Sequence, residues 1–136
     1  MARSESESLI RAYYAAFNAK DETGFLALLA EDVVHDINQG GREHGKKSFA
    51  AFLTRMNLCY DEEIVDLVVM ANDDGSRAAA EFTVLGTYMA SDSGLPPAHG
   101  QKYRLAAGAF FDIKNNRVSR ISNYYNLEDW LKQVGG

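Results

Sequence analysis

The run Arg104–Ile113 places Leu105, Ala107, Ala109 and Phe111 on one face of an extended segment and Ala106, Gly108 and Phe110 on the other. Side chains alternate along a strand, so this one is apolar on both sides. An antiparallel sheet that is apolar on both faces must be covered on both. The helical segments read below can cover one face. The other then requires a partner, and a second copy of the chain, docked sheet to sheet as a homodimer, is the simplest one.

The period of the apolar pattern changes once along the chain. Up to Cys59 it is helical. Leu9, Tyr13, Ala16 and Phe17 share a stripe, Asp21 is a suitable N-cap for a short second helix carrying Phe25, Leu26, Leu28 and Leu29, and Phe49, Phe52, Leu53 and Met56 mark a third over Lys46–Cys59. A short extended segment, 32–36, lies between the second and third. After Tyr60 the pattern turns to period two with β-branched residues. Strands are predicted over 64–70, 77–88, 103–113 and 118–125, separated by the turn Asn72-Asp73-Asp74-Gly75, the loop 90–100 with its Pro96-Pro97, and Asn115-Asn116. Asn126 caps a last short helix, with Glu128 and Asp129 where the dipole favours them. Gly86 and Gly108 in mid-strand point to bends in a strongly curved sheet. The whole is an α+β chain, a single domain over residues 1–136 with helices first and a sheet after.

Composition excludes several partners. A net charge of −5 with only one adjacent basic pair, Lys46-Lys47, offers no footprint for nucleic acid. No apolar run approaches the roughly 20 residues of a membrane span, and Met1–Ser8 is polar. Cys59 is the sole cysteine, so no internal disulfide and no cysteine-based metal cluster can form, and a reducing, cytoplasmic setting is expected.

Candidate chemistry concentrates in His35-Asp36-Ile37-Asn38-Gln39-Gly40-Gly41, polar groups held between apolar elements. Asp36 is either a general base, its pKa raised by an apolar wall, or a carboxylate that caps the glycine turn or pairs with Arg42. His35 faces the side opposite Asp36, as a hydrogen-bonded structural group or as a substrate contact. Asn38 serves either turn geometry or a ligand. Asn123 sits mid-strand, where asparagine is disfavoured, on one face with Ile121 and Tyr125. Tyr13 is a core aromatic or a hydroxyl donor to a pocket. Asp36, Tyr13 and Asn123 are thus the catalytic candidates, and Phe17, His35, Asn38, Met56, Phe110 and Tyr125 the substrate-contacting ones. Glu43 and His44 lie near His35 and Asp36, but the spacing matches no metal-ligand motif, and no metal is expected.

The element order, together with Tyr13-Tyr14-Ala-Ala-Phe17, Leu28-Leu-Ala-Glu-Asp32, His35-Asp36 followed by Gly45, and Ser122-Asn-Tyr-Tyr-Asn126, resembles the nuclear transport factor 2-like superfamily over nearly the whole chain. The likeness is strongest to its ketosteroid isomerase-related and SnoaL-like members. It implies a cone-shaped, curved sheet wrapped by three N-terminal helices and a short C-terminal one, enclosing a pocket for a small hydrophobic molecule, with no cofactor. Ketosteroid isomerase uses a carboxylate base, a tyrosine and a protonated aspartic acid. The tyrosine falls on Tyr13, and the base on Asp36 or Ile37 according to register. The acid falls on Ala107 or Gly108, which cannot serve. Epoxide hydrolases of the superfamily place a carboxylate where this chain has Asn123, so a hydrolase is the third reading after an isomerase or cyclase and a non-catalytic binding or dimerisation module.

Overall fold

The computed structural model describes residues 2–38 and 40–135. Its elements run α1 (Arg3–Asn18), α2 (Glu22–Ala27), β1 (Leu29–Asp36), β2 (Arg42–His44), α3 (Lys46–Cys59), β3 (Tyr60–Ala71), β4 (Arg77–Tyr88), β5 (Lys102–Lys114), β6 (Arg117–Tyr125) and α4 (Leu127–Val134). The strands form one six-stranded sheet in the order β2-β1-β6-β5-β4-β3. Every pairing is antiparallel except β1 with β6, so the sheet is mixed.

Three boundaries differ from the sequence pattern. The second helix ends at Ala27 and Leu29 already belongs to β1, because Leu28 O accepts from Val118 N–H and draws the chain into the sheet. The three-residue strand β2 carries too little pattern to be read. The third strand starts at Tyr60 rather than Ile64; its polar opening Asp61-Glu62-Glu63 hides a strand whose inward residues are Tyr60, Glu62 and Ile64. A bulge at Asp66, φ 55°, then shifts the register between Val65 and Val68.

One face of the sheet wraps around α1. Phe82, Val84, Leu105, Ala109, Phe111 and Ile121 point inward and are buried. Phe111 is fully buried and meets Tyr13 edge-on at 5.4 Å. The hairpin turn anchors the helix start: Ser6 Oγ donates to Gly75 O, and at Gly75, φ +75°, a Cβ would lie 2.6 Å from that hydroxyl. Two carboxamides complete the backbone pairing where strands lack neighbours. Asn18 donates to Ile64 O and accepts from Ile64 N–H on the edge strand β3, and Gln133 does the same for Arg104 beyond the end of β6.

The opposite face remains uncovered in the monomer. Val68, Met70, Phe110 and Tyr124 are half or more exposed on it. A row of alternating charges crosses one end of this face: Arg77–Asp112–Arg120–Asp36–Arg42, spanning β4, β5, β6, β1 and β2. Among the described residues no helix is long and apolar enough to cross a membrane.

Candidate active site: an apolar cavity with tuned acid–base groups

Between α1, α3 and the inner face of the sheet lies a cavity of about 320 Å³. Phe17, Phe25, Phe49, Phe52, Leu53, Met56, Ile64, Val84, Leu105 and Trp130 are among the apolar residues of its wall. Of the residues anticipated for a site, Tyr13, Phe17, His35, Asn38, Met56, Asn123 and Tyr125 line it. Two do not.

Asp36 faces the other side of β1. Its carboxylate accepts from Arg42 Nε at 2.6 Å and from Ser122 Oγ at 2.5 Å, with Arg120 at 3.9 Å. These partners, the Arg42 hydrogen bond foremost, hold its pKa down to about 2. A carboxylate so stabilised is a poor base, and it lies outside the cavity, so the general-base expectation for Asp36 is overturned in favour of the Arg42 ion pair. Phe110 likewise points out, half exposed against Tyr124 at 5.8 Å, because its neighbour Phe111 takes the core.

The carboxyl group that does reach the cavity is Glu62. Its partner is Tyr103, whose hydroxyl donates to Glu62 Oε2 at 2.5 Å. The geometry comes from the register. Glu62 on β3 is paired with Gly86 on β4, and Gly86 with Tyr103 on β5. A Cβ on Gly86 would lie 2.1 Å from the Tyr103 ring. Glycine there lets the ring cross the middle strand and reach the far one. Glu62 is only partly buried, yet protein surrounds it; its open side is the cavity. Desolvation raises its pKa above the ordinary carboxylate value, and the Tyr103 hydrogen bond opposes that rise. The sequence carried a signal for this group in Gly86 and in the period-two spacing of Tyr60, Glu62 and Ile64. A second carboxylate, Asp92, accepts from Tyr60 O–H at 2.8 Å at the same end of the cavity. Lys20 lines that end too, donating to Glu62 O at 3.2 Å and pairing with Asp61.

His35 is buried and stacked on Phe49, ring centroids 4.4 Å apart and 18° from parallel. Burial lowers its pKa to about 4, so the ring is neutral at neutral pH. Its Nε2 lies 3.3 Å from Asn123 Nδ2. Asn38 Oδ1 accepts from Tyr125 N–H at 3.1 Å. Tyr13 is buried against Tyr14 and Phe25, where burial pushes its phenol pKa well up; Tyr14, also on the wall, has a buried hydroxyl with no hydrogen-bond partner. Among the described residues no three His, Cys, Asp or Glu side chains converge as a metal site.

A curved mixed sheet closed over its pocket by helices is the nuclear transport factor 2-like cone. A protein of that kind from Burkholderia xenovorans, 16% identical and covering 98% of each chain, superposes with a TM-score of 0.77 and shares the fold. Residues 10–121 match the SnoaL-like domain, and the chain belongs to that family. It is similar throughout to a candidate polyketide cyclase from Pseudomonas putida, with 62% identity over 95% of this chain and 97% of that one and a TM-score of 0.94. A second candidate polyketide cyclase, from Xanthomonas campestris, is 52% identical over 96% and 97% of the two chains, also with a TM-score of 0.94. No functionally curated protein gives a significant match.

Gly86→Ala is expected to push the Tyr103 ring off Glu62. The substitution should cost about 1–3 kcal/mol, as overpacking does, and should move the Glu62 pKa further up, read by denaturation and by carboxylate-resolved NMR. An unmoved Glu62 would mean that Tyr103 does not set its charge. His35 supplies a pH dependence of the opposite kind. Its pKa in the fold, about 4, lies below the ordinary 6.5. The unfolded chain therefore binds the extra proton in that interval, and stability falls as pH drops from about 6.5 to about 4. His35→Phe should flatten this limb in urea titrations at pH 7, 6, 5 and 4; an undiminished limb would assign it to other groups.

Proposed function

We propose that this chain binds a small, ring-bearing hydrophobic molecule in the cavity and moves a proton on it without a cofactor, as an isomerase or cyclase would. The observation that carries the proposal is Glu62, a carboxyl group with raised pKa facing an apolar, largely enclosed space. In its ionised form Glu62 removes a proton from a carbon beside a ring carbonyl. The C–H electron pair becomes a C=C bond and the carbonyl π pair moves onto oxygen. Glu62 then returns the proton to that carbon or to another, or the enolate carbon attacks a second carbonyl of the same molecule and the resulting alkoxide oxygen takes the proton back from Glu62. The names of the similar Pseudomonas and Xanthomonas proteins agree with the cyclising branch.

Solvent-deuterium exchange at the α-carbons of fused-ring ketones and lactones tests this directly. Catalysed exchange is expected, with Glu62→Gln slowing it by about 100-fold or more, the usual scale of general-base catalysis. Exchange that is absent, or unaffected by Glu62→Gln, would favour the second function, ligand binding without catalysis. That alternative draws on Ile37, an apolar side chain lining the cavity at one of the two registers of the family's base.

We also propose a homodimer packed through the outer face of the sheet. The exposed side chains of Val68, Met70, Phe110 and Tyr124 support it, since large apolar groups clustered on one face mark contact surfaces. Light scattering at micromolar concentration should give twice the chain mass for the natural sequence and half of that for Phe110→Asp. A monomeric natural protein would overturn the dimer. The buried free thiol of Cys59 suits the reducing, cytoplasmic setting we assign it.

A further inference from the structure

We infer that the corner of the cavity formed by His35, Asn38 and Asn123 recognises a hydroxyl group on the ligand, with Glu43 as the positioning residue behind the histidine. The inference rests on the cavity being a small-molecule site, and extends it by naming a group that the molecule carries.

Unpaired buried atoms supply the argument. His35 Nδ1 and Glu43 Oε1 are both buried, both without a hydrogen-bond partner, and 4.0 Å from each other. At 4.0 Å the two make no hydrogen bond, but a proton on Nδ1 directed at Oε1 is favoured over two lone pairs that face each other. That proton settles the tautomer. With Nδ1 protonated, neutral His35 has Nε2 as a bare acceptor. The Asn123 carboxamide must then present Nδ2 to it, as it does at 3.3 Å. This contact is long for an N–H donor, so a better donor can replace it. The ring itself is fixed, stacked on Phe49 and edge-on to Phe52 at 4.6 Å.

Asn38 supplies the complementary half. Its Oδ1 is committed to the Tyr125 backbone N–H, which fixes the carboxamide's orientation. Its Nδ2 is buried and directed toward the Tyr125 hydroxyl without a close hydrogen bond, on a side chain that lines the cavity. The corner thus offers one acceptor, His35 Nε2, and one loosely held donor, Asn38 Nδ2. A hydroxyl oxygen uses both: its O–H donates to the imidazole and its lone pair accepts from the amide. A carbonyl uses only the donor, and an ammonium only the acceptor. Glu43 never reaches the ligand; it acts by holding the histidine in the accepting tautomer.

The test uses a pair of fused-ring probes, naphthalene and 2-naphthol, which differ by a single hydroxyl. The natural protein should bind 2-naphthol about tenfold more tightly than naphthalene, the worth of one well-placed hydrogen bond pair. In His35→Phe, which keeps an aromatic ring against Phe49, that ratio should fall to about one while naphthalene affinity persists and shows the cavity intact. ¹⁵N spectra of the imidazole give a second readout independent of the variant's folding. They should show the Nδ1–H tautomer in the free protein, a shift of the Nε2 resonance on adding 2-naphthol and none on adding naphthalene, and a growing Nε2–H population in Glu43→Gln. A ratio unchanged in His35→Phe, or an Nε2 resonance unmoved by 2-naphthol, would overturn the hydroxyl site while leaving the apolar ligand in place. Failure of both probes to bind would overturn the cavity function and this inference together.

Discussion

Phe111 is the point on which the architecture turns. It is fully buried on the inner face, and Tyr13 and Tyr14 of α1 meet it edge-on. Rigid rings cannot collapse into whatever space the curving sheet leaves beyond them, as flexible aliphatic chains would. The sheet bends around this cluster, α3 closes from the side, and the volume left over is the cavity. An apolar interior with a hole in it costs stability. That cost is consistent with a space kept for a ligand.

Charge is sorted between the two faces in a way that follows from the same curvature. The outer row from Arg77 to Arg42 ties five adjacent strands with alternating signs, and there Asp36 and Asp112 are stabilised as carboxylates. Glu62 and His35, on the inner face, have pKa values shifted by burial against the charged form. The same residue types behave oppositely because one face has guanidinium partners and water and the other has aromatic walls.

That sorting explains what could be read from the chain beforehand. The strands from Arg77 onward, the Asn72–Gly75 turn and the caps at Asp21 and Asn126 are local, and they form where the pattern puts them. Alternation also separates His35 from Asp36 and Phe110 from Phe111. Which member of each pair turns inward is decided by long-range pairing: β1 lies parallel to β6, and no local pattern reveals that. Choosing Asp36 and Phe110 for the cavity therefore failed where the neighbouring His35 and Phe111 face inward. Glu62 was missed for a related reason. Its segment is too polar to look like a strand, and its role depends on Tyr103 crossing Gly86, a contact between residues 41 apart in sequence.

The two inner titratable groups also explain how one apolar space could carry proton chemistry. In water glutamate ionises near 4.5 and histidine near 6.5, so between those values both are charged. Here Glu62 is raised above 4.5 and His35 lowered to about 4, which inverts their order. Between the two values both are neutral together. Above the Glu62 value its carboxylate is formed, held by the Tyr103 hydroxyl with Lys20 beside it, while His35 stays an uncharged acceptor. On the proposed reading, a proton taken by Glu62 from a bound molecule removes the charge that burial disfavours there. Removal of a proton from carbon is helped by the environment that makes the carboxylate costly.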